Sequence, residues 1–214
     1  MTEQKAQSKK KYHEPGKVGQ FFIKIYAAYR FVIRFFKEVF LPPYQVKETI
    51  NQCYNVGYKS LALITLTGFI IGLVFTKQSR PSLATFGATS WLPSLVAVAI
   101  VRALAPLVTA LICAGKVGSN IGAELGSMKV TEQIDAMEVS AINPYKYLVV
   151  TRVLATTLMI PLLMCYTGII ALLGSFIDVH ANEQTSFTTF IDNAFSSITF
   201  LDYFTSLVKA LVYG

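Results

Sequence analysis

Apolar and polar positions fall in long blocks along this chain. Ser60–Thr76 (SLALITLTGFIIGLVFT), Trp91–Ala114 and Leu148–Ile177 are apolar runs, and polar stretches separate them. A helix needs about 20 apolar residues to cross a hydrocarbon core of roughly 30 Å. Each run therefore reads as a membrane span, the first slightly short. A fourth apolar run, over 203–214, carries Lys209 and is too short to cross. It is an incomplete span, and the natural chain is expected to continue. The pattern predicts an all-α integral membrane protein, because a helix satisfies its own backbone hydrogen bonds in lipid.

Ahead of these runs, residues 18–41 repeat with a helical period. Phe21, Phe22, Ile25, Tyr29, Val32, Phe36 and Val39 share one face; Lys17, Lys24, Arg30, Arg34 and Lys37 share the other. An aromatic face opposite a basic one predicts a helix lying in the membrane interface beside anionic lipid. A soluble amphipathic helix packed on a partner is the alternative. Leu41-Pro42-Pro43 ends it. Residues 1–17, with Lys9-Lys10-Lys11, form a basic tail expected to be disordered. Thr49–Lys59 reads as a polar connector, and Lys77–Ser90 as a short loop on the far side of the membrane.

Composition sharpens this picture. Apolar residues make up 53% of the 214 positions and charged residues only 14%, where soluble domains carry about a quarter charged. Residues 1–59 hold 11 of the 19 Lys and Arg, whereas Asp178–Asp202 holds none. The positive-inside rule then places the N-terminus in the cytoplasm and Asp178–Leu201 outside, although Lys77 and Arg80 run against it. The basic residues lead straight into a membrane-seeking helix, so nucleic acid is not an expected partner. Cys53, Cys113 and Cys165 are odd in number and read as small hydrophobes. His13 and His180 stand alone, and no metal site is predicted. The first twenty residues lack the apolar core of a cleavable signal peptide.

Function concentrates between the second and third runs. Arg102 lies near the middle of Trp91–Ala114, roughly 16 Å from either interface. A charge at that depth is costly. Either it snorkels or pairs with an acid on another helix, or it faces a polar cavity that receives an anionic group such as a lipid phosphate. The cavity is the preferred reading, because the other complete runs hold no acid. Pro106 should kink the helix there and free nearby carbonyls. Arg152, near the start of the third run, is expected to snorkel. Gly68 and Gly72 form a GxxxG pair, and Gly118, Gly122 and Gly126 recur every four residues, both patterns that let helices approach closely. In the polar segment 115–147, Val130, Ile134, Met137 and Ala141 form an apolar stripe among Glu132, Gln133, Asp135 and Glu138. Thr131 is a candidate N-cap, and Asn143-Pro144 a stop. This acidic amphipathic helix suits a soluble partner better than anionic lipid. Gly115-Lys116 is no phosphate-binding loop, because Ala110 and Val117 stand where Gly and Ser or Thr are needed.

The stretch ALAPLVTALICAGKVGSNIGAELGSMKVTEQIDAMEVSAINP resembles the MlaE/YrbE family of ABC-transporter permeases, and the likeness extends from about Lys17 to Gly214. The A-G-K/R-x-G-S core, the A-E-x-G-x-M turn, the T-E-Q helix and the closing N/D-P stand in order. The resemblance implies an interfacial N-terminal helix, a permease domain over 60–214 and a coupling segment over 115–147. It also implies a cytoplasmic ABC ATPase, a periplasmic MCE-domain protein and a second copy of the chain as partners. The cargo implied is phospholipid, moved between the inner and outer membranes of a diderm bacterium and so tied to outer-membrane lipid asymmetry. The chain itself would be non-catalytic and cofactor-free, with ATP and Mg on the ATPase, and multi-pass in the inner membrane.

Matched by position, the ATPase-coupling residues are Glu124, Leu125, Gly126, Met128, Thr131, Glu132, Gln133 and Met137. Arg102 and Lys209 match basic residues of the family's lipid cavity. Ala103 stands where the family has Glu, so their counter-charge is missing unless Asp202 supplies it. An ion-coupled secondary transporter and a non-transporting scaffold are the alternatives. The first usually needs intramembrane acids, which the three complete runs lack.

Overall fold

The computed structural model describes residues 17–42 and 44–214, and they divide into two units at Pro43. The expected tail over 1–17 lies outside the described residues, save that Lys17 opens the first helix. That helix, α1 (Lys17–Phe40), makes up the described part of the first unit. Phe21, Phe22, Tyr29 and Phe36 are exposed along it, and Arg34 meets Glu38 one turn on at 3.9 Å.

The second unit is an all-helical bundle. In order it contains α2 (Val46–Val56), α3 (Tyr58–Thr85), α4 (Leu92–Ala99), α5 (Ala105–Val130), α6 (Gln133–Val139), α7 (Thr151–Glu183), α8 (Phe187–Ser197) and α9 (Phe200–Tyr213). Five-residue π turns, Ile100–Leu104 and Lys146–Val150, join α4 to α5 and lead into α7. Three continuous segments, Val46–Thr85, Thr89–Val130 and Lys146–Glu183, are long and apolar enough to cross a membrane. The pair α8–α9, bent by 79°, would make a fourth, broken span. The chain is a multi-pass membrane protein.

Small residues line the closest α3–α7 approach, alongside buried Ile64, Leu163 and Met164, while many other large side chains face out. On α3, Ser60, Gly68, Gly72 and Thr76 are buried, whereas Leu63, Leu66, Ile70 and Val74 are exposed. On α7, Thr167, Gly168, Ala171, Gly174 and Ser175 are buried, whereas Leu158, Leu162, Ile169 and Leu173 are exposed. Lipid does not drive large apolar side chains inward, so close packing of small ones holds the helices together. A Cβ at Gly72 would overlap the carbonyl of Ala171, and one at Gly174 the carbonyl of Phe69. Two hydroxyl pairs add cross-links. Thr167 donates to its own Leu163 carbonyl at 2.7 Å, which leaves it to accept from Thr109 at 2.8 Å. Thr65 likewise donates to Leu61 and accepts from Tyr166 at 2.7 Å.

Several local expectations are corrected. The polar stretch 49–59 is mostly helix: α2 packs on the foot of α7, where Tyr147 donates to Glu48 at 3.2 Å. Residues 77–85 belong to α3 rather than to a loop. Arg80, which seemed to oppose the charge rule, is three-quarters or more buried and pairs with Asp178 at 2.7 Å, tying α3 to α7. Residues 187–197 form α8, which folds back on α4 with Phe190 and Ala194 fully buried. Arg152 does not snorkel: it is 5% exposed and held by Glu124 at 2.8 Å.

Candidate functional site

Pro106 has no N–H, so the carbonyl four residues back, on Arg102, loses its helical donor. Just before it, the π turn draws the N–H of Ala105 to the carbonyl of Ile100, five residues back. Val101 therefore loses the N–H of Ala105, and the position one further on is Pro106. Two successive carbonyls are left without backbone donors halfway along an apolar helix, where hydrocarbon offers no water in exchange.

Helix α9 supplies the donors. Ser206 Oγ donates toward Val101 at 2.7 Å, sharing its proton with the carbonyl of Asp202, also at 2.7 Å. Lys209 Nζ donates to the carbonyl of Arg102 at 3.1 Å. Asp202 completes the stripe of residues at i, i+4 and i+7. One carboxylate oxygen closes a capping box with the backbone of Thr199 at 3.3 Å, and the other lies 3.8 Å from Arg102 Nε. Asp202 thus stands as the counter-charge that Ala103 cannot provide.

The Arg102 side chain is 64% exposed, and its contact with Asp202 is too long for a hydrogen bond. Arg102 lines a cleft of about 940 Å³ whose wall mixes Ser90, Ser94, Asn193 and Ser197 with apolar residues such as Leu95 and Val98. Beyond the same π turn lies a second, apolar cavity of about 400 Å³, bounded by Val101, Ala105, Gly168, Phe195 and Tyr203. A guanidinium with three serines and one asparagine on an otherwise apolar wall suits an anionic head, and the apolar space beyond the π turn suits a hydrocarbon tail.

At one end of the bundle α5 runs on well past the apolar stretch, so residues 115–130 are helix rather than a separate loop. Gly115 and Lys116 lie within it, and the Lys116 ammonium donates to the carbonyl of Lys59. Glu124, Leu125, Gly126 and Met128 occupy its last turns. Thr131 is not the N-cap of α6: its hydroxyl turns back to the Ser127 carbonyl at 2.8 Å. Glu132 precedes α6 in the left-handed conformation (φ 55°). The far end is a Schellman motif, with the N–H of Ile142 on Met137 at 3.0 Å and that of Ala141 on Glu138 at 3.1 Å. It places Ala141 at φ 58°, where glycine is usual. Asn143 does not stop α6, which ends at Val139. It caps the following helix instead, its Oδ1 accepting from Tyr145 and Lys146 at 3.2 and 3.4 Å. Gln133 opens α6, and Met137 is half-buried on it. Val130 and Val139, 84% and 90% exposed, flank an acidic tip.

The glycine pairs differ. Gly68 and Gly72 press on α7, whereas a Cβ at Gly118 or Gly122 would meet nothing within 4 Å.

The family model for the permease MlaE matches residues 49–214. The chain belongs to the MlaE permease family. Among its relatives, a probable ABC transporter permease protein of Rickettsia typhi is 31% identical over 90% of this chain and 73% of that protein. A second, from Synechocystis, is 34% identical over 78% of this chain and 64% of its own length. The chloroplastic protein TRIGALACTOSYLDIACYLGLYCEROL 1 of Arabidopsis thaliana is 32% identical over 78% of this chain and 48% of its own length. ABC permeases move cargo while a partner ATPase hydrolyses ATP, so membership makes this chain a transporter subunit.

The sequence set Arg102 and Lys209 in one cavity and had Pro106 free carbonyls nearby, but it did not show that Lys209 is the donor to the freed Arg102 carbonyl. It also missed Ser206, although Asp202, Ser206 and Lys209 are a polar stripe of helical spacing in an apolar run. The Arg152–Glu124 pair carries no local signal.

Proposed function

We propose that this chain is the membrane subunit of an ABC transporter that moves phospholipid between the inner and outer membranes of a diderm bacterium. The observation that carries this is the Arg102 cleft: an exposed cation at mid-span beside serine hydroxyls, with an apolar cavity beyond the same π turn. The name of the Arabidopsis relative supports a glycerolipid cargo. The α5–α6 end, with its exposed valines and acids, suits a cytoplasmic ATPase that holds the ATP and Mg. The N-terminus then lies in the cytoplasm and α1 on the inner leaflet. A second copy of the chain and a periplasmic MCE-domain protein complete the assembly. Movement of α6 would shift α5, and with it the π turn that carries Arg102.

Affinity isolation of the tagged chain from its native membrane in mild detergent, followed by mass spectrometry, tests this assembly. Recovery of a P-loop ATPase and an MCE-domain protein is expected. Recovery of neither, even after cross-linking in the membrane, would overturn it.

A further inference from the structure

We infer that Arg152 is the positioning residue through which movement of the α5–α6 segment reaches α7, by way of its ion pair with Glu124. The inference rests on the coupling role proposed above for that segment. Past Val117 the segment is loosely held, with Ile121 as its hydrophobic contact on the core among the described residues. None of residues 118–139 is buried, and a Cβ at Gly118, Gly122 or Gly126 would meet no atom within 4 Å. The 2.8 Å contact from Glu124 to Arg152 is the ion pair that fastens this stretch to the bundle among the described residues.

The other side of the contact is firm. Arg152 is 5% exposed and donates through Nη1 to the Leu148 carbonyl at 2.8 Å, inside the π turn that opens α7. Its Nε is buried and has no hydrogen-bond partner among the described residues. Drawing Glu124 away would leave a buried guanidinium without counter-charge, a costly state. The foot of α7 therefore follows α5 rather than releasing it. From there α7 lines the apolar cavity with Gly168 and meets the Arg102 cleft only indirectly: α9, which caps the π turn that carries Arg102, packs along α7, with Thr156 donating to the Gly214 carbonyl at 2.7 Å. A π turn at each end of this route gives it places to yield, since such turns recur at functional sites.

The test uses the tagged complex in nanodiscs of phosphatidylethanolamine and phosphatidylglycerol, with Cys53, Cys113 and Cys165 replaced by alanine and Leu95→Cys placed in the cleft. The readout is the maleimide labelling rate at position 95 with and without a non-hydrolysable ATP analogue. The unaltered pair should give a change of about fivefold or more. Arg152→Gln should keep the ATPase bound but abolish the change, and Arg152→Lys should restore part of it. Glu124→Gln, on the half-exposed side, should also abolish the change per bound ATPase. The exchange Glu124→Arg with Arg152→Glu should bring it back. A full response in Arg152→Gln or Glu124→Gln would overturn the inference. Absence of a bound ATPase or of any response in the unaltered pair would overturn the coupling role itself, and the inference with it.

Discussion

Individual residues in this chain are held by chemistry that their neighbours in sequence do not reveal. Arg152 and Glu124 lie 28 positions apart, yet each limits what the other can become. Glu124→Gln should lower the stability of the detergent-solubilised chain by about 1.5 kcal/mol, because buried Arg152 loses its half-exposed charged partner but keeps an amide carbonyl in reach. Glu132→Gln, at an exposed turn, should change it by less than about 0.5 kcal/mol. Thermal unfolding of the two variants side by side checks the contrast. Ala141 offers a change of opposite sign. Its left-handed backbone (φ 58°) costs an L-residue about 1 kcal/mol, so Ala141→Gly should stabilise the end of α6 by that order. Slower amide hydrogen exchange at Ser140–Ile142 would register it.

Elements meet in two ways here, by close approach of small residues and by repair of broken backbone. The first predicts that Gly72→Ala destabilises the α3–α7 pair, since a Cβ would overlap Ala171. Gly118→Ala should raise the stability of the isolated chain by up to about 1 kcal/mol through helix propensity alone. The second makes Lys209 and Pro106 a coupled pair. Lys209→Met should cost about 2 kcal/mol in the native background, where it leaves the Arg102 carbonyl unsatisfied. In a Pro106→Ala background the restored N–H takes that carbonyl, and the same change should cost much less. A double-mutant cycle read by thermal unfolding measures the difference. Long apolar runs make the spans legible from sequence, because length and hydropathy alone decide them. Pro106 announces the defect but not its repair, which depends on where α9 docks. The polar stretches mislead for a related reason. Residues 49–59 and 187–197 lack apolar runs of spanning length, yet each buries one face on a neighbour, and only tertiary packing selects helix there.

For the whole molecule, two rigid ties on α7 stand apart. Arg80–Asp178 and the glycine contacts bind α7 to α3, and Arg152–Glu124 binds it to the segment that ends in α6. Between them, the π turn at Ile100–Leu104 carries Arg102 into a cleft. The family was legible in the stretch from Ala103 to Pro144, whereas the cleft needed α4, α8 and α9 brought together from distant parts of the chain. The central claim is that Arg102 receives the phosphate of a phospholipid. The direct measurement is the amount of phospholipid retained per permease after affinity isolation, for the native chain and for Arg102→Ala. The carbonyl of residue 102, not its side chain, holds Lys209, and Asp202 keeps its capping box, so the variant gives up only the 3.8 Å contact with Asp202 on α9. The account predicts at least a tenfold loss of bound phospholipid, about 1.4 kcal/mol of binding, with unfolding temperature unchanged. Equal phospholipid on both proteins would contradict it.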